Sequence, residues 1–256
     1  MNLDYVNIER RGPIAIVRFD RKENLNAFNQ QLILEMTEVA RSFHDDLETQ
    51  AIVVTGATEA FSAGADLKDG QSWQTDGISE LQRRQRFYRG VRLCEAWETA
   101  PQITIAAIER MAVGAGIALG LAMDWRVMGE NAFLYVPEVK IGLNLQWGAL
   151  PRLVTLVGPA RAKRIVLMCE RMGAAQALDW GLIDEVAADG AAVDKALELA
   201  EGVVAMPHAT VRMVKEAVNA TAGALHKATS YADADQSQLT GGFSDARQAR
   251  SDFNKT

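Results

Sequence analysis

The chain has 256 residues, of which 48% are hydrophobic and 23% are charged, and its formal net charge is -6 at pH 7. This composition is typical of a globular protein and excludes the collagen-like, disordered and membrane-spanning classes. Because acidic residues outnumber basic ones, the overall field of the protein repels a polyanion, and we predict no nucleic-acid partner.

The N-terminal part of the chain predicts a hairpin, a helix and a buried strand. Residues 5–9 and 14–19 alternate polar and apolar side chains around a Gly-Pro pair, which indicates an opening β-hairpin. Between residues 28 and 43, apolar side chains recur at spacings of three and four, which predicts an amphipathic helix. The short apolar segment 51–55 predicts a buried strand.

Strands and helices alternate in the middle of the chain. We predict a helix over residues 79–97, a buried strand over 103–108, and short strands over 125–128 and 132–136. Strands that alternate with helices favour a largely parallel sheet, so the predicted fold class is α/β.

From residue 150 onward the pattern is helical almost throughout. We therefore expect the sheet-forming segments to end near residue 136. No internal repeat or Ser/Pro-rich linker interrupts the sequence, so we predict an α/β core over residues 1–200 and a C-terminal helical region over 201–256 within the same domain unit.

The remaining global features indicate a cytoplasmic protein without a metal. The N-terminus has no apolar stretch of the signal-peptide kind, and no apolar run reaches membrane-spanning length. Cys94 and Cys169 lie far apart in apolar segments, which favours reduced core thiols. His44, His208 and His226 are scattered and lack metal-ligand spacing, so we predict no metal. The lack of a long apolar run likewise predicts no membrane partner.

A loop of small residues follows the strand at 51–55. It spans Ala60 to Lys68 and reads AFSAGADLK. Glycine and alanine leave backbone N–H groups open, and open N–H groups in a fixed turn can bind an oxyanion. A simple strand-to-helix turn is the alternative interpretation of this segment alone.

A second small-residue segment, Gly114-Ala115-Gly116, follows the strand at 103–108 and opens a helix. Free amides and the helix dipole favour negative charge at such a position. Leu119 stands where a dinucleotide-binding glycine pattern requires glycine, so dinucleotide binding is a distant alternative and we predict no nicotinamide cofactor.

Glu138 is the most suggestive carboxylate because apolar and aromatic residues surround it in the segment FLYVPEV. Burial there would raise its pKa and make it a useful acid/base group. A solvated glutamate after a turn proline is the alternative.

Arginines 83, 86, 89 and 92 recur every three residues along the predicted helix 79–97. A solvated or subunit-facing stripe is the favoured interpretation, and contact with ligand phosphates is the alternative.

Three segments together resemble the enoyl-CoA hydratase/isomerase (crotonase) family over nearly the whole chain. They are RKENLNAF at Arg21 to Phe28, AFSAGADLK at Ala60 to Lys68, and Gly114-Ala115-Gly116 followed by Asp124, Arg126 and Val127. The resemblance implies a crotonase-like spiral of β-β-α turns with a C-terminal helical trimerisation region. It also implies a homotrimer or a dimer of trimers.

The resemblance assigns roles to individual residues. The amides of Ala65 and Ala115 would form an oxyanion hole, and Glu138 matches the second catalytic glutamate of the family. The substrate would be an acyl-CoA thioester, with coenzyme A as part of the substrate and no separate cofactor. The adenine end of coenzyme A would lie along Ala63, Ala65 and Lys68, and the acyl pocket would be lined by Trp73, Ala118, Gln146, Trp147 and Phe253.

One departure from the family pattern bears on the reaction. Family hydratases have a first glutamate at the position that Ala118 occupies here. With Glu138 as the single acid/base, we predict isomerisation of 3-enoyl-CoA to 2-enoyl-CoA. The alternatives are a one-glutamate hydratase whose water is positioned by Tyr135, Gln146 or Glu109, another crotonase reaction (acyl-CoA hydrolase, lyase or decarboxylase), and an acyl-CoA or RNA-binding member without turnover.

Overall fold

The computed structural model describes residues 3–70 and 77–253. The strands are β1 (Val6–Arg11), β2 (Ile14–Phe19), β3 (Ala51–Thr55), β4 (Ile103–Ile108), β5 (Met111–Val113), β6 (Trp125–Gly129), β7 (Phe133–Tyr135), β8 (Met172–Gly173) and β9 (Glu185–Ala187). The helices are α1 (Gln30–Ser42), α2 (Glu80–Glu98), α3 (Ala115–Leu121), α4 (Ala149–Met168), α5 (Ala174–Asp179), α6 (Ala192–Val204), α7 (His208–Ala222), α8 (His226–Ser230), α9 (Asp233–Gly241) and α10 (Ser244–Phe253). Two short 3-10 helices cover Asn24–Asn26 and Glu138–Ile141.

The main sheet has the strand order β1-β2-β3-β4-β6-β9. Only β1 and β2 pair antiparallel, and the other neighbours are parallel. Every residue of β3 and β4 is buried, because helices and loops cover both faces of a parallel sheet. The predicted hairpin, buried strands and parallel α/β fold class are confirmed.

A second sheet has the order β5-β7-β8. Strand β8 pairs with β7, and β9 joins the main sheet beside β6. The expectation that sheet-forming segments end near residue 136 is therefore wrong. Strands of two and three residues are too short to show a periodicity, and their pairing depends on partners far away in sequence.

Helices α1 and α2 are confirmed close to their predicted bounds, and both begin at capping side chains. Asn29 accepts a hydrogen bond from the Leu32 amide at 2.8 Å at the start of α1. At the start of α2, Ser79 and Gln82 form a reciprocal capping box. Each cap satisfies amides that the first helical turn leaves without partners.

The helices after residue 204 pack against the core. The buried ammonium group of Lys215 in α7 donates to the carbonyl of Gln102 at 2.7 Å and to Asp124 at 2.6 Å. In α10, Arg250 donates to the carbonyl of Ile141 at 3.2 Å, next to the 3-10 helix that begins at Glu138. Across residues 3–70 and 77–253, no helix has the length and apolar character needed to span a membrane.

Candidate active site

The loop of small residues at 60–68 is fixed on both sides by backbone hydrogen bonds. On one side, the Ser62 amide donates to Met111 at 3.1 Å and the Val113 amide donates to Ser62 at 2.9 Å. On the other side, the Phe28 amide donates to Gly64 at 2.7 Å and the Asp66 amide donates to Phe28 at 2.9 Å. The loop is therefore an extended segment held between Phe28 and β5, and its backbone has a defined direction.

Two buried polar groups support this loop from beneath. Asn26 donates to the carbonyls of Phe19 and Phe61 at 3.0 and 2.9 Å. Asp66 pairs with Arg21 at 2.8 Å. Burial disfavours the charge on Asp66, but hydrogen bonds from Arg21 and from the Lys68 amide outweigh that effect and lower its pKa. The side chains of Arg21 and Asn26 thus hold the loop in place.

The amide of Ala65 points away from Phe28. The carbonyl of Gly64 and the amide of Asp66 both form hydrogen bonds with Phe28. In an extended chain the Ala65 N–H points opposite to the Gly64 carbonyl, and therefore away from Phe28. The Ala115 amide begins α3, where no intrahelical acceptor exists. Among the described residues, neither amide donates to a protein acceptor. Two amide donors are thus available to a ligand.

The two small-residue segments meet at Gly64. A methyl group on Gly64 would lie 3.0 Å from the carbonyl oxygen of Val113 and 3.8 Å from the nitrogen of Ala115. Gly116 approaches Ser62 with similar closeness, since a methyl group there would lie 2.9 Å from the Ser62 Cβ. The small side chains of both segments are required because the two backbones touch.

Glu138 begins the 3-10 helix directly after Pro137, and its carboxyl group turns inward. Its Oε2 is buried and has no hydrogen-bond partner among the described residues. Burial raises the pKa of Glu138 to about 7, since removing water disfavours the charged form. The interpretation of Glu138 as a solvated surface residue is therefore not supported by its surroundings.

A cavity of about 160 Å³ joins these groups. Glu138 is the one carboxylate among the described residues that line it. Tyr135 also lines it, and the Oε1 of Gln146 is buried without a partner. The sequence-predicted residues that line this cavity are Ala63, Ala65, Ala115, Ala118, Glu138, Gln146 and Trp147.

Other predicted residues lie elsewhere. Lys68 is exposed and is not among the cavity-lining residues. Trp73 falls outside the described residues, and Phe253 closes α10 without a described side chain. Glu109, considered as a water-positioning group, accepts a hydrogen bond from the Ala192 amide at 2.8 Å and is not among the cavity-lining residues.

Two arginines of the α2 stripe donate hydrogen bonds to protein groups. Arg89 donates to Gln30 at 2.6 Å and Arg92 donates to Gln85 at 2.6 Å. Arg86 lines a small second cavity next to the first. Sequence reasoning missed Gly90 in the same helix, against which the indole of Trp147 packs. The available signal was a glycine inside a predicted helix, a position where glycine usually marks the close approach of another group.

The structure contains no candidate metal centre among the described residues, where no three His, Cys, Asp or Glu side chains are grouped to hold an ion. The cavity instead places one carboxylate with a near-neutral pKa beside two amide donors. Such a set of groups is suited to an enzyme that moves a proton next to a developing oxyanion.

Comparison with known proteins identifies the family. The family model described as enoyl-CoA hydratase/isomerase matches residues 9–254, and the chain belongs to this family of enzymes. A short-chain-enoyl-CoA hydratase from Clostridium acetobutylicum is 30% identical over 86% of this chain and 82% of its own length. A carnitinyl-CoA dehydratase from Citrobacter koseri is 33% identical over 84% of this chain and 80% of its own length.

A solved structure supports the fold assignment. An enoyl-CoA hydratase/isomerase from Mycobacterium paratuberculosis superimposes with a TM-score of 0.88, at 24% identity, over 97% of this chain and 98% of that one. The predicted family and the crotonase-like fold class are confirmed. An acyl-CoA thioester as substrate is consistent with membership of this family.

Proposed function

We propose that this enzyme shifts the double bond of a 3-enoyl-CoA to the 2-position, with Glu138 as its single acid/base. The observation that carries this proposal is the cavity itself. Among the described residues that line it, Glu138 is the one carboxylate, and Ala118 provides no second one. Isomerisation needs a single group that removes and returns one proton, whereas two-carboxylate hydration needs a second group that holds water.

The steps follow from the placement of the donors. The thioester oxygen accepts hydrogen bonds from the amides of Ala65 and Ala115, which stabilise the negative charge that develops on it. Glu138 removes a proton from C2, and the double bond moves from C3–C4 to C2–C3 as the same proton is returned at C4. No water is added and no other atom is exchanged.

The pKa of Glu138 suits both halves of this cycle. With a pKa of about 7, the Glu138 carboxyl group accepts and donates a proton with similar ease near neutral pH. Its unpartnered Oε2 is available to the substrate because no protein donor occupies it among the described residues.

The proposal includes the partners expected from the sequence. Coenzyme A enters as part of the substrate, and we assign its adenine end to the surface along Ala63, Ala65 and Lys68. The exposed Lys68 ammonium group is suited to a phosphate or adenine contact there. We retain a cytoplasmic location and the absence of nucleic-acid, membrane, metal and further cofactor partners as parts of this proposal.

Hydration of a 2-enoyl-CoA by one glutamate is the second candidate. Gln146 favours it, because its buried Oε1 lacks a partner in the described part of the chain and lines the same cavity as Glu138. This amide oxygen is able to hold a water molecule that Glu138 activates. The names of relatives as hydratases and a dehydratase favour it as well.

The two candidates are distinguished by the product mass. Purified protein is incubated separately with a 3-enoyl-CoA and with the corresponding 2-enoyl-CoA, and products are separated and weighed by mass spectrometry. We expect the 3-enoyl-CoA to give the 2-enoyl-CoA without change of mass. A product heavier by one water, formed at a higher kcat/KM from the 2-enoyl-CoA, contradicts isomerisation and supports hydration. Release of free coenzyme A contradicts both.

We also propose that the enzyme is a homotrimer or a dimer of trimers. Several apolar side chains after residue 204 are at least half exposed in the single chain, and an apolar groove of about 760 Å³ borders α7. Exposed apolar surface of this extent marks contacts between subunits more often than free surface. The exposed apolar residues include Met206, Met213, Val214, Val218 and Leu225.

A further inference from the structure

The indole of Trp147 contacts two cavities. It lines the candidate active-site cavity of about 160 Å³, and it also lines a second cavity of about 60 Å³. Ala65 and Gln146 line both cavities as well. The second cavity continues toward Phe28, Ile33, Arg86, Phe87 and Gly90.

The position of Trp147 is held from two sides. Its ring packs edge-on against Phe28, with 5.7 Å between centroids and 78° between planes. On the other side the ring lies against the backbone of Gly90, where any added methyl group would overlap the indole. The side chain is buried, so it cannot swing into solvent without breaking both contacts.

The backbone of Trp147 is unusual for a bulky residue. Its φ is 63°, in the left-handed region that residues other than glycine and asparagine rarely adopt. Gly148 follows with a φ of 67°. Strained backbone of this kind persists where the surrounding packing over-determines it, and such positions cluster at binding sites.

The size of the active-site cavity indicates the size of the acyl group. A cavity of about 160 Å³ is smaller than the range of about 300 to 1,000 Å³ that is usual for ligand sites, which favours a short acyl group.

We propose that Trp147, held by Gly90 and Phe28, determines acyl-chain length by closing the end of the cavity, so that the enzyme prefers short acyl thioesters. This inference rests on the proposed function in one respect, that the cavity at Glu138 receives the acyl group. Removing the indole joins the two cavities and makes space for a longer chain.

Replacement of Trp147 by glycine is the direct test, because glycine accepts a positive φ without strain and removes the whole ring. The variant and the parent are compared on a series of enoyl-CoA substrates with four, six, eight and ten acyl carbons. We expect the kcat/KM of the parent to fall at least tenfold from four to eight carbons. In the Trp147→Gly protein we expect a rise of about tenfold on eight carbons and a fall on four, since one methylene in an apolar pocket changes kcat/KM by about tenfold or more.

Two further variants keep the test decisive. Trp180→Ala removes a tryptophan that stacks on Arg161 and is not a cavity-lining residue, so the chain-length profile should stay that of the parent. Trp147→Phe keeps a smaller ring and should give an intermediate profile if the glycine variant does not fold. A folded Trp147 variant with the parental profile overturns the inference.

Binding measurements separate this inference from the proposed function. Calorimetry with saturated acyl-CoA thioesters of the same lengths needs no turnover. If the parent binds short chains tightly and Trp147→Gly binds long ones, the length assignment holds even when neither protein isomerises a double bond. If no acyl-CoA binds at all, the proposed function fails. If binding in both proteins is independent of length, the inference alone fails.

Discussion

The carboxyl group of Glu138 lies directly against the Cα of Gly114, so that a methyl group on residue 114 would come within 2.5 Å of Oε1. Gly114 has a φ of 47° and a ψ of -106°, a combination open to glycine. This single position therefore fixes the start of α3, carries the chain to the Ala115 amide and leaves space for the carboxyl group.

Gly114→Ala should disable the site. The added methyl group displaces Glu138 and strains the backbone that orients the Ala115 amide, so we expect kcat to fall by about 10² or more, the size of effect seen for loss of one oxyanion donor. Steady-state kinetics and thermal unfolding check this. The matched control is Gly120→Ala in the same helix, where the methyl group would meet Ile108 at an ordinary 3.7 Å. Near-parental turnover by the folded Gly114→Ala protein would contradict the site geometry.

Glu138→Gln should remove most of the turnover and leave substrate affinity nearly unchanged. The amide keeps the size of the side chain but cannot accept a proton, and general acid/base catalysis contributes about 10² to 10⁴ in rate. We expect a loss of kcat in that range, with the dissociation constant measured separately by calorimetry. The exposed Glu130→Gln change is the control. A Glu138→Gln protein with parental kcat would show that another group moves the proton.

Activity should rise with pH through about 7. Glu138 must be ionised to remove a proton, and burial raises its pKa to about 7, so kcat/KM should increase with the slope of one ionisation and then level off. A profile that levels off near pH 5 would assign the base to an ordinary solvated carboxyl group.

The same pKa predicts a stability change. The folded protein retains the Glu138 proton to about pH 7, whereas the unfolded chain releases it near 4.5. The contribution of this group to stability is therefore fully present below pH 4.5 and is lost as the pH rises through 7. Glu138→Gln should unfold at a higher temperature than the parent at pH 8, and the difference should shrink toward pH 4.5. Equal pH dependence in both proteins would argue against a buried Glu138 carboxyl group.

Ala118→Glu should increase hydration of 2-enoyl-CoA. Residue 118 lies about one helical turn after Ala115 and lines the same cavity, so a second carboxylate there is able to hold water beside the substrate. The product to measure is the 3-hydroxyacyl-CoA. Ala118→Gln is the matched control because it has the same shape without the carboxylate. A folded Ala118→Glu protein that binds substrate without added hydration would contradict the placement of residue 118.

The molecular mass in solution should be three or six times that of one chain. Val214→Asp places a charge on the exposed apolar surface of α7 and should lower the mass by light scattering. Leu47→Asp places the same charge on an exposed apolar residue far from α7 in sequence and should leave the mass unchanged. A parent protein that stays monomeric at micromolar concentration would rule out the trimer.

The sequence by itself determined the elements whose cause is local. The mostly apolar residues of β3 and β4 predict buried strands, and the pattern over residues 79–97 predicts α2 to within one residue at each end, because each signal lies within the element itself. The small-residue loops and the family also follow from the order of short segments along the chain. The elements rest on local composition, whereas the family rests on the resemblance of these short segments to those of known proteins.

Only the tertiary structure decided which of these residues act together. Gly114 contacts Glu138, and the indole of Trp147 packs against Gly90. Each pair is more than twenty residues apart in the sequence. The pKa of Glu138 likewise depends on how completely the folded chain excludes water from its carboxyl group. No local pattern encodes such distances, because each is set by the packing of elements whose order in space differs from their order in the chain.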